Sequence, residues 1–555
     1  MNKLRRQSAT TDDDLADEGR LGELGYKQEL RRDWGLIHNF GVSFSIISVI
    51  TGITTLFQYG LTTGGPAVMT VGWIIVSFFT FFIALAMAEI TSAHPTAGGP
   101  YFWAAMLAPN NYLAAFFSWV TGWFNFVGQF AVTTGIVFGC ANLIATLATV
   151  KSGFVPTPVK IVGIHAAILV SMGLVNTFGV RYLRYLNNTS IVLHSLGIAS
   201  FAIAVVAAAP THKARRMYSQ SSTMRLEIRV GASGLLLRKS SLLHSIRLCS
   251  HYGSYVACIG ILFSQYTLTG FDASAHLSEE THNASRSAPY GVLMSVGVSA
   301  LFGFFLILCL LFSIQDFDAT VGSEYLQPVL QILLDIFGEN GAIALFTLII
   351  VCVWHCGLFS ITSNSRMFFS FSRDRGIPHF FHHVDKRFKS PTRTIWLAVL
   401  LAFLLALPSL GSSVAFAAAT SIATIGLYIS YGIPIMIGLI WHKNFVKGPF
   451  NLGVLSRPIA AVACLWIGFI TIVFCLPSIN PVTSQTVNYS CVAVGIVGIF
   501  AMGSWFLWAH RWFTGPIRQI EAEALGIDID TPGALEQLEM EKEKNGAAAY
   551  TNGAH

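Results

Sequence analysis

Twelve runs of about twenty or more mostly apolar residues follow one another through this chain of 555, and no other feature restricts its fold so far. They lie near 36–60, 67–92, 112–147, 158–178, 188–209, 252–276, 288–313, 341–370, 393–409, 413–440, 458–477 and 487–509. In hydrocarbon every backbone N–H and C=O must be bonded within protein, so runs of this length read as spanning helices. Asp, Glu, Lys and Arg supply 11% of the residues, about half the charge of a water-facing domain. The expectation is an all-α integral membrane protein with twelve transmembrane helices. Within it, residues 91–107 read as irregular or as a short surface helix.

The formal net charge of +6 does not indicate nucleic acid, because Lys and Arg sit between the apolar runs rather than among aromatics on one face. The N-terminal segment carries Lys3, Arg5, Arg6, Arg20, Lys27, Arg31 and Arg32, whereas the short loops on the opposite side hold only Lys151 and Lys160. That asymmetry places both termini in the cytoplasm. One loop departs from the rule: 210–251 contains eight basic residues, from Lys213 to Arg247, on the side expected to be outside. It reads either as an atypical insertion or gene-model artefact, or as a basic arm for anionic lipid. The chain thus divides into a cytoplasmic segment 1–35, helices 1–5 over 36–209, the basic loop 210–251, helices 6–10 over 252–440, helices 11–12 over 441–510, and an acidic cytoplasmic tail 511–555.

The first 35 residues lack a short apolar core, so the first run reads as a span rather than a signal peptide. The nine cysteines stand singly, with no CxxC, and there is no nucleophile elbow, HExxH or phosphate-binding loop. Neither an enzyme nor a metal or other cofactor is expected.

Two spans are interrupted. Residues 48–55 put Gly52 among Ser48, Thr51, Thr54 and Thr55 in mid-membrane, and residues 266–274 put Gly270 beside Thr269 and the ionisable Asp272. These are helices 1 and 6, the corresponding members of two five-helix halves, and paired interruptions point to a transporter built from inverted repeats. The positive N-terminal end of a half-helix attracts a carboxylate, and carbonyls freed at a half-helix C-terminus accept from an ammonium, so one site serves both ends of a zwitterion. The alternative is that each glycine merely allows close helix packing.

The same stretches carry a resemblance. It rests on LGYKQEL at 24–30, FSIISVITGITT at 44–55, MAEI at 87–90 leading to HPTAGG at 94–99, WVTGWFN at 119–125, QYTLTGFDASAH at 265–276, SRD at 372–374 and WFTGP at 512–516. The sequence resembles the amino acid-polyamine-organocation superfamily, and within it the amino acid/choline transporter group of fungal GABA permeases and plant bidirectional amino acid transporters. The resemblance implies a LeuT-like fold, a 5+5 inverted repeat with discontinuous helices 1 and 6 plus two peripheral helices, working by alternating access. It also implies that Thr51, Gly52 and Ile53 meet a substrate carboxylate while Thr269, Gly270 and Phe271 line the amino-group side.

Ionisable groups inside a membrane are costly enough to be functional candidates. His194 in helix 5 either titrates and couples transport to protons, or is a neutral imidazole bonded to a backbone carbonyl. Glu89 and Glu280, near the ends of helices 2 and 6, are candidates for gating or orientation. Asp272 either attracts an ammonium or bonds the broken helix. Asn125 and Gln129, one turn apart on helix 3, present two amides on one face, toward the pocket or toward a neighbouring helix. The expected activity is secondary active transport of amino acids, GABA included, with lipid and protons as the other partners. A choline, polyamine or other cationic-amine permease and a non-transporting sensor are the alternatives.

Overall fold

The computed structural model describes residues 12–212, 253–325, 327–385, 387–477, 482–483, 487–516, 537 and 540–541, and within these no side chain at 12–16, 413–420 or 444. Beyond its first three positions the basic loop lies outside the described residues, as does most of the acidic tail. All regular elements among the described residues are helical.

Among the described residues, eleven helices are long and apolar enough to cross a bilayer, against twelve apolar runs in the sequence. The difference is the run 252–276. It is helical over 253–260, turns at Ile261, continues as a short helix Leu262–Thr267, opens at 268–272 and closes with one turn, Ala273–His276. An amphipathic or apolar count registers a span there; a continuous hydrogen-bonded ladder does not form, because Gly270 sits at φ 97°.

In chain order the helices are α1 (Asp12–Glu23), α2 (Leu36–Ile47), α3 (Val49–Thr62), α4 (Gly65–Ala93), α5 (Pro100–Leu107), α6 (Asn111–Ser152), α7 (Pro158–Phe178), α8 (Val180–Val192), α9 (Ile198–Ala208), α10 (Leu262–Thr267) and α11 (Ala273–His276). They continue as α12 (Ala284–Phe312), α13 (Phe317–Val321), α14 (Pro328–Arg373), α15 (Thr392–Ala406), α16 (Ser413–Ile440), α17 (Ser456–Cys475) and α18 (Ser490–Leu507). Their starts follow local chemistry. Asn110 Oδ1 accepts from Leu113 N–H at 3.0 Å to cap α6, and Thr157 caps α7 ahead of Pro158, whose missing N–H costs nothing in a first turn.

Enclosure sorts the helices. In the span Leu36–Thr62, 89% of the apolar window is buried, but only 28% in Val180–Ala208 and in Ser490–Leu507. The broken first span is therefore the centre of the bundle, wrapped by α8, α10, α12 and α14. The outer helices turn Leu196, Ile203, Ile496, Ile499 and Phe506 outward, as lipid-facing residues require. Of the two readings of 91–107, the irregular one holds for 94–99, and the surface helix is corrected. Helix α4 runs to Ala93, and α5 is buried against α6 and α16, because Tyr101, Phe102 and Trp103 carry too much aromatic area to leave exposed and Trp103 Nε1–H finds the His94 carbonyl at 3.0 Å.

Candidate functional site

The first span breaks at Ser48, whose φ of 34° is a left-handed conformation that a side chain adopts only when its surroundings hold it there. Two bonds do so. Ser48 Oγ lies 2.5 Å from Thr51 Oγ1 and 2.8 Å from His194 Nε2. The other imidazole nitrogen, Nδ1, donates to the Ser190 carbonyl at 2.9 Å, which leaves Nε2 of the neutral ring to accept from the Ser48 hydroxyl. His194 itself sits in a π-helical turn, Leu193–Gly197, between α8 and α9, where the extra residue swings the ring toward the break.

The second break, at 268–272, is stitched to the first half of span 1. Ser43 Oγ donates to the Phe271 carbonyl at 3.1 Å and accepts from Ser274 N–H at 2.9 Å, and Asn39 Nδ2 donates to the Ser274 carbonyl at 2.9 Å. Backbone groups opened by the break are thus satisfied by side chains of α2, as a non-helical segment inside a bilayer demands.

The two interrupted spans meet at Gly52. A Cβ there would stand 2.5–2.8 Å from three side-chain atoms of Thr267, so only glycine lets α3 and α10 touch. Beside this contact lies a cavity of about 30 Å³, bordered among others by Thr51, Gly52, Tyr266, Thr267, Thr269 and Cys356. Of the residues assigned to substrate from the sequence, Thr51, Gly52 and Thr269 border it. Ile53 is fully buried behind them, and Phe271 packs its ring on Tyr431 at 5.3 Å. Gly270 faces Ile46, whose Cγ2 would be 2.6 Å from an added Cβ. Asn125 donates to Ser430 Oγ at 3.0 Å, and Gln129 Nε2 to Asp272 Oδ2 at 2.7 Å.

Toward the end of the bundle that carries residues 17–35, charges pair across helices. Arg366 of α14 binds Glu280 (Nε to Oε1, 2.6 Å), and Arg373 binds Glu279 at 3.0 and 3.1 Å. Asp374 accepts from the hydroxyls of Tyr26 and Tyr101 at 2.9 Å each, and the Arg373 guanidinium lies 3.7 Å from the Tyr26 ring centroid. Burial, with the neighbouring Asp374 charge, holds the Tyr26 phenol well above its usual pKa. Glu89 is elsewhere: it accepts from Leu452 N–H at 3.0 Å and Ser456 Oγ–H at 2.6 Å, fastening α4 to the start of α17.

Sequence reasoning passed over Thr267, Arg366, Ser48 as the point of fracture, and His276. A signal for the last was available, since His276 follows Asp272 by four residues and thus shares its helix face.

A multi-pass helical protein in which two fractured spans meet at a small polar-edged cavity has the build of a membrane carrier for small molecules. The comparisons narrow the class. The profile of the amino acid permease family matches residues 37–499, and the chain belongs to that family. It is 40% identical over 520 residues to the amino-acid permease BAT1 homolog of Oryza sativa subsp. japonica, covering 90% of this chain and 96% of that protein. It is 38% identical to amino-acid permease BAT1 of Arabidopsis thaliana, covering 90% and 96%. With the GABA-specific permease of Saccharomyces cerevisiae it shares 30% over 526 residues, covering 92% and 88%. It is a transporter, not an enzyme.

Proposed function

We propose that the chain carries amino acids, GABA among them, by proton-linked alternating access on a twelve-helix, LeuT-like architecture of two inverted five-helix repeats, with both termini cytoplasmic. The observation that carries this reading is the meeting of the Ser48 fracture and the 268–272 fracture across the Gly52–Thr267 contact. The N-terminal end of α3, with Thr51, Gly52 and Ile53, takes the substrate carboxylate; the opened strand with Thr269, Gly270 and Phe271 takes the amino group. Gln129 braces the second fracture through Asp272, and Asn125 ties α6 to Ser430 of α16 beside it. A cavity of about 30 Å³ has room for roughly a water or two, so the described conformation is contracted and the substrate enters a form in which the fractures stand further apart. The ion pair of Glu280 with Arg366 is the cytoplasmic gate, Glu89 orients α4 against α17, His194 holds the first fracture, and Asp272 belongs to the coupling machinery. The relatives named for amino acids and for GABA support the substrate class.

The test is uptake by purified protein in proteoliposomes of a radiolabelled panel of amino acids, GABA, choline and a polyamine, with and without an imposed pH gradient. Saturable amino acid flux raised by the gradient is the expected result. Flux of choline or polyamine alone would replace the substrate class, and binding without flux would make the protein a sensor.

A further inference from the structure

Resting on the transporter reading above, we propose that Asp272 and His276 together form the proton-binding site of the carrier, holding one proton between Asp272 Oδ2 and His276 Nε2 while the cavity is contracted. His276 is fully buried at the end of α11, one turn beyond the second fracture, and Asp272 is 1% exposed. The tautomer follows from the partners. His276 Nδ1 lies 2.8 Å from the carbonyl of Ala97, which can only accept, so Nδ1 carries a hydrogen. Nε2 then faces Asp272 Oδ2 at 3.3 Å. A bare imidazole nitrogen and a carboxylate oxygen at that separation are two acceptors in a dry interior, and one hydrogen between them turns a repulsive contact into a charge-assisted hydrogen bond. Gln129 Nε2 sits 2.7 Å from the same carboxylate oxygen and 3.3 Å from His276 Nε2, closing the cluster with a donor that cannot itself titrate.

The surroundings leave this pair as the exchangeable site. On the turn after it, Glu279 and Glu280 are engaged by Arg373 and Arg366 of α14. On α2, His38 accepts from Arg184. On α12, Arg286 and Tyr290 are exposed and turned away. Tyr428 and Tyr431 of α16 border the Asp272 side, and His94 opens the loop whose Ala97 meets His276. That loop approaches only because Gly99, at φ 56°, has no Cβ; an added one would be 2.9 Å from His276 Cε1.

The coupling follows from position. Asp272 stands three residues from Thr269, which borders the cavity, and both members of the pair lie on the fractured span. When substrate parts the fractures, the Asp272–His276 contact opens, water reaches it, and the proton passes from the pair to bulk water as H3O+; return to the contracted form takes one proton back. Each cycle therefore binds and releases one proton without a further reactant.

The experiment uses the full chain in proteoliposomes, with radiolabelled GABA and alanine as probes and an entrapped pH dye. H276Q keeps a donor at the Nε2 position, toward Asp272, but cannot carry the proton. It is expected to exchange amino acid across the membrane within about threefold of wild type, while gradient-driven accumulation and the substrate-evoked proton signal fall at least tenfold. Accumulation by H276Q equal to wild type overturns the proposal, as does a wild type that exchanges amino acid but shows no proton signal. A wild type that exchanges nothing removes the transporter reading, and the coupling role with it. Should H276Q fail to fold, 15N-histidine NMR of the wild type decides: hydrogen at Nδ1 together with a hydrogen-bonded proton at Nε2 is expected, and an unshared, bare Nε2 refutes the pair.

Discussion

Replacing Arg366 by Met removes the partner of Glu280 and leaves that carboxylate in a place where its side chain is 6% exposed and the Arg366 side chain was 1% exposed. At that burial the surface value of about 0–1 kcal/mol for an ion pair does not apply; stranding one charge of a buried pair costs about 3–5 kcal/mol. If the pair forms only while this end of the bundle is shut, the whole cost falls on the shut form. For a wild type shut roughly 99 times in 100, a shift of about 3–5 kcal/mol brings the open form to between roughly 60% and 98%. Cys356 reports it, because it borders the cavity, is 1% exposed and donates its thiol to the Ile46 carbonyl at 3.1 Å. Its alkylation by a membrane-impermeant reagent from the gate side, followed by peptide mass spectrometry, should quicken by about 60- to 100-fold in R366M. Adding E280Q removes the stranded charge, and the double variant should return most of the way to the wild-type rate. A folded R366M that labels no faster than wild type, or a double variant as fast as the single, would show that the pair is structural and not a gate.

Gly52→Ala forces a Cβ into Thr267 at 2.5–2.8 Å; overpacking of about 1–3 kcal/mol should weaken substrate half-saturation or turnover by roughly 5- to 150-fold, and T267A, by clearing the two nearest atoms, should recover part of it. His194→Ala removes one of the two bonds that hold Ser48 Oγ, leaving the one to Thr51 Oγ1, so melting temperature and exchange rate should both fall, by an amount matching about 0.5–1.5 kcal/mol, and a variant as stable and active as wild type would free the fracture from this anchor. Tyr26→Phe takes one of two tyrosine donors from Asp374 and should destabilise by about 1–3 kcal/mol at neutral pH. Because the folded phenol titrates above its unfolded value of about 10, its contribution is present below that pH and is lost as pH rises further, so the stability gap between wild type and Y26F should narrow above about pH 10; a gap that widens there would contradict the assignment.

How much of this was legible in the sequence can be traced residue by residue. The run lengths and the scarcity of charge decide for spanning helices before any contact is known, because unbonded backbone in hydrocarbon is forbidden to every chain alike. The two fractures were readable too, from glycine and hydroxyl residues set within apolar runs, though not their detail: the left-handed residue in the first span is Ser48, while Gly52 is helical and serves instead as the surface against which Thr267 rests. What sequence alone determined is therefore local, since propensity, hydrophobic length and backbone freedom act within a few residues. Only the tertiary structure decided that Gln129 bonds Asp272, 143 positions away, that Arg366 reaches back 86 positions to Glu280, and that Glu89 bonds the start of α17. A helix of known length still has an unknown rotation, and that rotation, set by packing against helices distant in sequence, selects which polar side chains meet.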